Sequence, residues 1–252
     1  MRRIGFLLIL VALLIAAVVV SRLVAGWHYV LPAEPGAVLY AAAFDGLTED
    51  WEQYEGRLSA EILPEGVLRL DVGNVSSGPF SVARQYFGDF DVRVEARAVS
   101  GPVNNGYGLI FRLQNHDNSS PSDDSYYLFL VSSDGYYQVR RVLGDEQKEL
   151  STWIPSPVVN QGIGVANTLR VVAQGNQFAF YVNGQQMPLC IPDDPAGRST
   201  FVGSCTGGTM QPSLTDSSLA YGQLGLVATT LDEPDVVVEF DNLVVYGPAA
   251  VE

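Results

Sequence analysis

The clearest indication of the fold class is the segment Phe90-Asp91-Val92-Arg93-Val94-Glu95-Ala96-Arg97-Ala98. Apolar and charged residues alternate strictly along it, so the apolar side chains share one face and the charged side chains share the other. This period of two is typical of an antiparallel strand with one buried and one solvated face. The stretch therefore predicts a sheet that packs its apolar face on a second layer.

Comparable apolar runs recur to either side, separated by Gly, Asn, Asp, Ser and Pro. Between them, Ser133-Asp134-Gly135 and Gly175-Asn176 are typical of tight hairpin turns. No segment of residues 38–246 has the spacing of an amphipathic helix. The other predicted strands are Val38–Phe44, Val67–Val72, Phe80–Phe87, Gly108–Gln114, Tyr126–Ser132, Tyr136–Val142, Thr168–Gln174, Gln177–Val182, Gln223–Thr229 and Val236–Tyr246. The pattern predicts one all-β domain, either a two-sheet sandwich or a barrel.

Two stretches do not follow the strand pattern. Residues 115–124 are rich in Asn, Asp and Ser and predict a surface loop, and residues 187–219 form a long segment with little pattern. The second segment contains both cysteines of the chain, Cys190 and Cys205. In an oxidising compartment a local disulfide is the expected state of such a pair, the alternative being two free thiols.

The first 27 residues have the features of an export signal. Met1-Arg2-Arg3 precedes an apolar run from Ile4 to Val20, which reaches the lower limit for a bilayer span. The leading arginines favour a cytoplasmic N terminus. We expect residues 1–27 to be a single-pass signal-anchor, residues 28–37 a linker and residues 248–252 a tail. A cleaved signal peptide is the alternative, and either reading exports the domain.

Composition excludes several classes of protein. Hydrophobic residues make up 47% of the chain and charged residues 17%, which is incompatible with a disordered or coiled-coil protein. There are 28 acidic and 14 basic residues, for a net charge of −14. A domain of this charge repels nucleic acid, so no nucleic-acid partner is expected.

An ordered set of short motifs runs through the domain. The motifs are Ala43-Phe44-Asp45-Gly46 with Trp51, Phe87-Gly88-Asp89-Phe90-Asp91-Val92, Gly106-Tyr107-Gly108-Leu109-Ile110-Phe111-Arg112, Tyr126-Tyr127-Leu128-Phe129, Asp134-Gly135-Tyr136-Tyr137, Asn167-Thr168-Leu169-Arg170-Val171, Phe180-Tyr181-Val182-Asn183-Gly184, Gly225-Leu226-Val227-Ala228 and Phe240-Asp241-Asn242-Leu243-Val244-Val245. Together they resemble the concanavalin A-like lectin/glucanase superfamily, in its exported bacterial branch related to laminin-G-like and 3-keto-disaccharide hydrolase-type domains. The resemblance implies a two-sheet antiparallel jelly roll over residues 38–247. It further implies a ligand site on the concave sheet and, in many members, a structural calcium at the sheet edge.

The residues give little support for catalysis. The Glu-x-Asp-x-x-Glu spacing of jelly-roll glucanases is absent, and Glu95 stands between Arg93 and Arg97, whose charges would make it a poor general acid. The two histidines, His28 and His116, have no nucleophile near them in sequence. We therefore expect a non-catalytic protein.

Calcium is the one candidate cofactor. Asp45 follows the first predicted strand and Asp241 lies in the last, and these two strands usually pair in this fold, so the carboxylates could share an ion. The alternative is that each Asp only caps or turns its own strand.

The predicted ligand site lies on strands 90–98, 106–114, 125–132 and 135–142, which are expected to form a meander in one sheet. The third of these is apolar on both faces, so one face must be exposed or covered by a ligand or a partner. The expected ligand-binding residues are Arg112, Tyr127, Gln138 and Arg140. An ordinary polar outer face is the alternative.

The sequence thus predicts a membrane-anchored, extracytoplasmic binding module that recognises carbohydrate or another component of the cell envelope. A structural subunit of a membrane protein complex and a divergent glycoside hydrolase are the alternatives.

Overall fold

The computed structural model describes residues 13–18, 20, 28–45, 50–76, 78–114, 116 and 123–249. Residues 13–18 and 20 are helical, and the rest of the described chain is dominated by strands. This part of the chain contains no helix that is long and apolar enough to cross a membrane. Most of the predicted signal-anchor falls outside the described residues.

Twenty strands are present in the described residues. In chain order they are β1 Val30–Leu31, β2 Val38–Ala42, β3 Leu58–Leu63, β4 Val67–Val72, β5 Phe80–Phe87, β6 Phe90–Ser100, β7 Asn105–Gln114, β8 Ser125–Val131, β9 Tyr136–Leu143, β10 Glu146–Pro155, β11 Asn167–Gln174, β12 Gln177–Val182, β13 Gln185–Gln186, β14 Leu189–Pro192, β15 Thr200–Phe201, β16 Cys205–Thr206, β17 Gly208–Gln211, β18 Leu214–Thr215, β19 Gly222–Thr230 and β20 Val236–Tyr246. The predicted all-β class is confirmed.

Two large sheets form a jelly-roll sandwich. The seven-stranded sheet has the order β1-β5-β19-β7-β8-β9-β10, and the nine-stranded sheet has the order β13-β12-β11-β6-β20-β4-β3, with β18 beside β12 and β2 beside β20. The pairing of β1 with β5 is parallel, while the long strands pair antiparallel. Strand β2, the first of the main strands, lies beside the last strand, β20, as expected for this fold.

The core lies between the two sheets. The alternation of β6 places its apolar residues inward, where Phe90, Val92 and Val94 are buried against the facing sheet. Aromatic rings fill the centre, with Phe111 of β7 stacked on Tyr127 of β8 at 5.1 Å. Each such ring contributes about 2–3 kcal/mol by leaving water, so this layer provides much of the stability of the sandwich.

The predicted four-strand meander is only partly correct. Strands β7, β8 and β9 are neighbours in the seven-stranded sheet, but β6 lies in the other sheet, between β11 and β20. The connection from Ser100 to Asn105 contains Gly101 at a φ of 102° and Pro102, which do not form a tight two-residue hairpin. The chain crosses between the sheets at this point instead of folding back beside β6.

The segment of residues 187–219 folds into small ladders rather than an open loop. Strand β14 pairs with β17, and β15 pairs with β16. A disulfide joins Cys190 to Cys205 across a separation of 15 residues, which confirms the predicted bridge. The segment is fixed to the body of the sandwich by Tyr137, whose hydroxyl donates to the carbonyl oxygen of Pro188.

Candidate functional site

The outer face of the seven-stranded sheet carries a second apolar cluster, separate from the core. Its buried members are Val82, Ile110, Leu113, Leu128, Leu130, Val142 and Val227. The register explains why they share a face: Gly225, Ile110, Leu128 and Arg140 lie side by side on four adjacent strands. An outer sheet face normally meets water and is polar, so this apolar floor is a candidate surface for a ligand or a partner.

A cavity of about 470 Å³ lies over this floor. Three partly buried rings line it, from Phe80 of β5, Tyr126 of β8 and Trp153 of β10. Polar side chains complete its wall, among them Arg140 and Gln147, with the Arg140 Nη2 donating to Gln147 Oε1 at 3.1 Å. We call this feature the outer groove. Flat apolar rings beside fixed hydrogen-bonding groups are the usual make-up of a small-molecule site.

Two glycines of β7 allow close packing of the strands that form the floor of the groove. At Gly106 a Cβ would lie 2.5 Å from the Thr229 Oγ1, and at Gly108 it would lie 2.0 Å from the carbonyl oxygen of Phe129. Any side chain at these positions would force neighbouring strands apart. The Gly106-Tyr107-Gly108 motif therefore serves the packing of β7 between its neighbours.

The groove continues past Phe80 into a second cavity of about 640 Å³, which contains charged side chains. Here His116 lies between two carboxylates, with its Nδ1 at 3.0 Å from the Asp124 Oδ2 and its Nε2 at 3.0 Å from the Glu52 Oε2. The hydrogen bond to Glu52, reinforced by Asp124, outweighs burial and raises the pKa of His116 to about 9. The ring is therefore a cation at neutral pH and donates to both carboxylates.

This charged end is the feature that sequence reasoning missed. Glu52 lies 64 residues from His116 in the chain, and a histidine in a polar loop gives no signal of its partners. Only the fold brings the loop before β3 and the loop before β8 together beside Phe80, whose ring centroid lies 5.3 Å from that of His116. The two carboxylates differ in their exposure to solvent, because Asp124 is buried while Glu52 is partly open to the cavity.

The expected orientation of Arg112 is wrong. Its side chain is 1% exposed, and its guanidinium donates to the carbonyl oxygens of Leu219, Gly88 and Gly175 at 2.6–3.2 Å. Arg112 has a φ of 54° at a register shift between β7 and β8, the signature of a β-bulge. The bulge interrupts the alternation, so that Leu113 instead of Arg112 faces the outer groove.

Tyr127 is also buried instead of lining a surface. It lies in the core layer, where its hydroxyl donates to the Asp216 Oδ1 at 2.6 Å and accepts from the Leu219 N–H. The neighbouring ring, Tyr126, is the one that lines the outer groove. Strand β8 is apolar on both faces, as predicted. The face that points outward is the one that carries Tyr126 and not the one that carries Tyr127.

Gln138 and Arg140 do lie on the groove face. In the pairing of β8 with β9, Leu130 is opposite Gln138 and Leu128 is opposite Arg140, and both leucines line the cavity. Two of the four predicted ligand residues are thus brought together on the groove face.

The calcium prediction stays a prediction. Pairing of β2 with β20 brings the region of Asp45 close to the middle of β20, with Ala42 opposite Leu243. The Asp241 Oδ1 accepts a hydrogen bond from the N–H of Asn242, within β20 at the register shift between Asp241 and Val244. Within the described part of the chain, no group of three or more His, Cys, Asp or Glu residues is arranged to hold a metal.

Comparison with known proteins places the domain in a family. Residues 40–245 match the sequence model of the 3-keto-alpha-glucoside-1,2-lyase-like domain. The chain belongs to this family. A search among curated proteins finds no match.

Solved structures agree on the fold. The chain is similar to the carbohydrate-binding module CBM66 from Bacillus subtilis, with 15% identity and a TM-score of 0.51 over 78% of this chain and 95% of that one. It is similar to a protein of unknown function with a galectin-like fold from Bacillus subtilis, with 15% identity and a TM-score of 0.56 over 85% and 97%. A β-1,3-1,4-glucanase derived from a mouse hindgut metagenome matches at 11% identity and a TM-score of 0.53 over 82% and 98%. The concanavalin A-like jelly roll inferred from the motifs is confirmed.

Proposed function

We propose that this protein is a carbohydrate-binding module whose site is the outer groove. The observation that carries the proposal is the set of three rings, Phe80, Tyr126 and Trp153, over an apolar floor with polar groups at the wall. A sugar ring presents apolar C–H faces that stack on aromatic rings, and hydroxyl groups that need polar partners at the edge. The carbohydrate-binding module and the glucanase among the structural relatives add support.

The proposal includes a location outside the cytoplasm. The disulfide between Cys190 and Cys205 is expected in an oxidising compartment. The predicted N-terminal anchor would hold the module at the outer surface of the cell membrane, within reach of glycans or other components of the cell envelope.

Substitution of Trp153 tests the proposal. In Trp153→Ala, the loss of one stacking ring should weaken the binding of glycans by about tenfold or more, in line with roughly 1–3 kcal/mol for a buried aromatic contact. Binding is measured by calorimetric titration against the members of a glycan panel that bind the unaltered protein. Tyr181→Ala is the matched control, because Tyr181 is a half-buried ring on the nine-stranded sheet, stacked on Arg170 away from the groove.

The result that contradicts the proposal is equally specific. If no glycan in the panel binds, or if Trp153→Ala and Tyr181→Ala weaken binding equally, the outer groove is not a carbohydrate site. Thermal melts of both variants show whether either loss comes from unfolding.

The cluster of Glu52, His116 and Asp124 favours a second candidate function, cleavage of a glycoside by elimination. In such a reaction a base takes the proton next to a keto group, the C–H electrons form a C=C bond, and the glycosidic C–O bond breaks as its oxygen takes up a proton. Glu52, which is partly open to the cavity, would be the base and the protonated His116 the acid. A 3-keto-glucoside incubated with the protein should then release its aglycone, and Glu52→Gln should abolish the release while binding persists.

A further inference from the structure

Arg140 differs in its charged surroundings from six other arginines of the two sheets. Arg69, Arg93, Arg97, Arg112, Arg141 and Arg170 each have a carboxylate within 4.0 Å. Among the described residues, no carboxylate lies within that distance of the Arg140 guanidinium, although Glu149 is its cross-strand neighbour on β10 and Asp232 lines the same cavity. A charge half removed from water without a counter-charge is costly to keep.

Two hydrogen-bond donors at this place have no acceptor. The Arg140 Nε and the Gln138 Nε2 are both buried and unpartnered, and Gln138 as a whole is 1% exposed. Because the two residues are two positions apart on β9, they project from the same face, the one that lines the outer groove. Each buried donor without a partner is unfavourable in the empty protein.

Nothing in the described core explains this arrangement. The floor beside these donors consists of Leu128 and Leu130, whose side chains offer no acceptor, and among the described residues the one side chain bonded to Arg140 is Gln147. The guanidinium lacks a counter-charge, and the adjacent amide donor lacks an acceptor. An anionic group would satisfy both, and a planar carboxylate matches the fork of a guanidinium in two parallel hydrogen bonds.

We propose that the outer groove is specific for acidic glycans and that Arg140, assisted by Gln138, holds their anionic group. This inference rests on the proposed function and names its ligand class. The rings of Tyr126 and Trp153 take the sugar ring, and the anionic substituent points to β9. The overall negative charge of the protein repels anions, so an unpaired cation inside the groove distinguishes an acidic glycan that fits from one that does not.

The test compares each acidic glycan with its own neutral form. Uronate oligosaccharides are titrated against their methyl esters, and sulfated oligosaccharides against their desulfated forms, by calorimetry with the full chain. We expect at least one acidic member to bind about tenfold more tightly than its neutral counterpart, and Arg140→Gln to remove that difference. The two arms also identify whether the anion is a carboxylate or a sulfate ester.

Two further variants keep the test independent of folding. Arg57→Gln removes the same charge from an exposed position bonded to Asn74 and should leave the preference for acidic glycans unchanged. Gln138→Leu should weaken the binding of the acidic member while the melting temperature holds or rises, because the amide donor has no partner to lose. A lower melting temperature would mean that Gln138 supports the fold, which would overturn its role here.

The outcomes distinguish this inference from the proposed function. Equal affinity for acidic and neutral forms, still dependent on Trp153, overturns the acidic specificity and leaves carbohydrate binding in place. Binding of none of these glycans overturns both. An unchanged preference in Arg140→Gln also overturns the inference, because the anion is then held elsewhere.

Discussion

Arg112 shows at the scale of one residue how a buried charge can be structural. Its guanidinium bridges the carbonyl oxygens of Leu219, Gly88 and Gly175, and its Cζ lies 4.7 Å from the centroid of the Phe178 ring. It thereby ties the segment before β19 to the turns that follow β5 and β11. Each charge-assisted bond to a carbonyl contributes about 1.5–3 kcal/mol.

Substitution of Arg112 should therefore act on stability. In Arg112→Met, three buried carbonyl groups lose their donor, and we expect the free energy of unfolding to fall by on the order of 3 kcal/mol or more. Urea denaturation followed by fluorescence measures it. A variant with unchanged stability and lost glycan affinity would show that Arg112 meets the ligand after all.

The sequence predicts the apolar character of a strand more reliably than the direction in which each of its side chains points. Strand β8 is apolar on both faces, as its sequence predicts, but Tyr126 and Tyr127 differ by one position, and the pattern alone does not tell which ring points outward. The bulge at Arg112 reverses the alternation for the end of β7 in the same way. Gln138 and Arg140 lie on the groove face because β9 pairs with β8 in an unbroken register, so the period of two holds along this strand.

Among the secondary-structure elements, the alternation of apolar and polar residues identifies the strands that have one solvent-exposed face. Each of the eleven predicted strands overlaps an observed strand, and β6 spans all of its predicted residues. The two long strands without a prediction, β3 and β10, carry mixed sequences in which Glu, Gln and Lys interrupt the pattern. Strand β10 also has register shifts on both sides of Ser151, which no period of two can describe.

The hairpins of residues 187–219 depend on the disulfide because they form little continuous sheet. Strands β14 to β18 have two to four residues each. A bridge that closes a loop of 15 residues removes unfolded-state entropy worth about 3 kcal/mol in the chain-entropy model. The buried Cys190 also packs in the main core.

Removal of the bridge should lower stability by about that amount. We expect the Cys190→Ala/Cys205→Ala double variant to unfold at a lower urea concentration, by roughly 2–4 kcal/mol in free energy. Addition of a reductant should cause a similar loss in the unaltered protein and none in the double variant. Equal stability of the oxidised and double-variant proteins would contradict a structural role for the bridge.

At the scale of the whole molecule, ion pairs on the outer face of the nine-stranded sheet couple stability to pH. Burial alone would raise the pKa of Asp91, but hydrogen bonds from Arg170 and Arg93 outweigh it and lower that pKa. Glu239 is held in the same way between Arg69 and Arg97, which lower its pKa against the effect of burial. Both carboxylates are ionised in the folded state at pH values where they would be protonated in the unfolded chain.

On the acid side these groups stabilise the fold only while they are ionised. A carboxyl group whose pKa is lowered by folding stabilises the fold fully at pH values above its ordinary pKa of about 4. This stabilisation is lost as the pH falls through the pKa of the folded state. We therefore expect the free energy of unfolding to decline below about pH 4. Glu239→Gln should flatten part of this decline, because one of the two carboxylates no longer titrates.

At basic pH the dependence of stability on pH has the opposite sign, and it comes from His116 at the charged end of the groove. The pKa of His116, raised to about 9 chiefly by its hydrogen bond to Glu52, lies above the ordinary value of about 6.5, so its contribution is complete below pH 6.5 and is lost as pH rises through 9. Urea denaturation at intervals from pH 6 to 9.5 should thus show a falling free energy of unfolding, and His116→Gln should remove the slope. The series stops at pH 9.5 because buried tyrosines add a separate loss of stability at higher pH. Burial raises the pKa of Tyr54 to about 12, so stability falls further once tyrosines of the unfolded chain ionise near pH 10. A flat profile between pH 6.5 and 9.5 would mean that His116 is neutral in the fold, which would also remove the acid assigned to the elimination reaction.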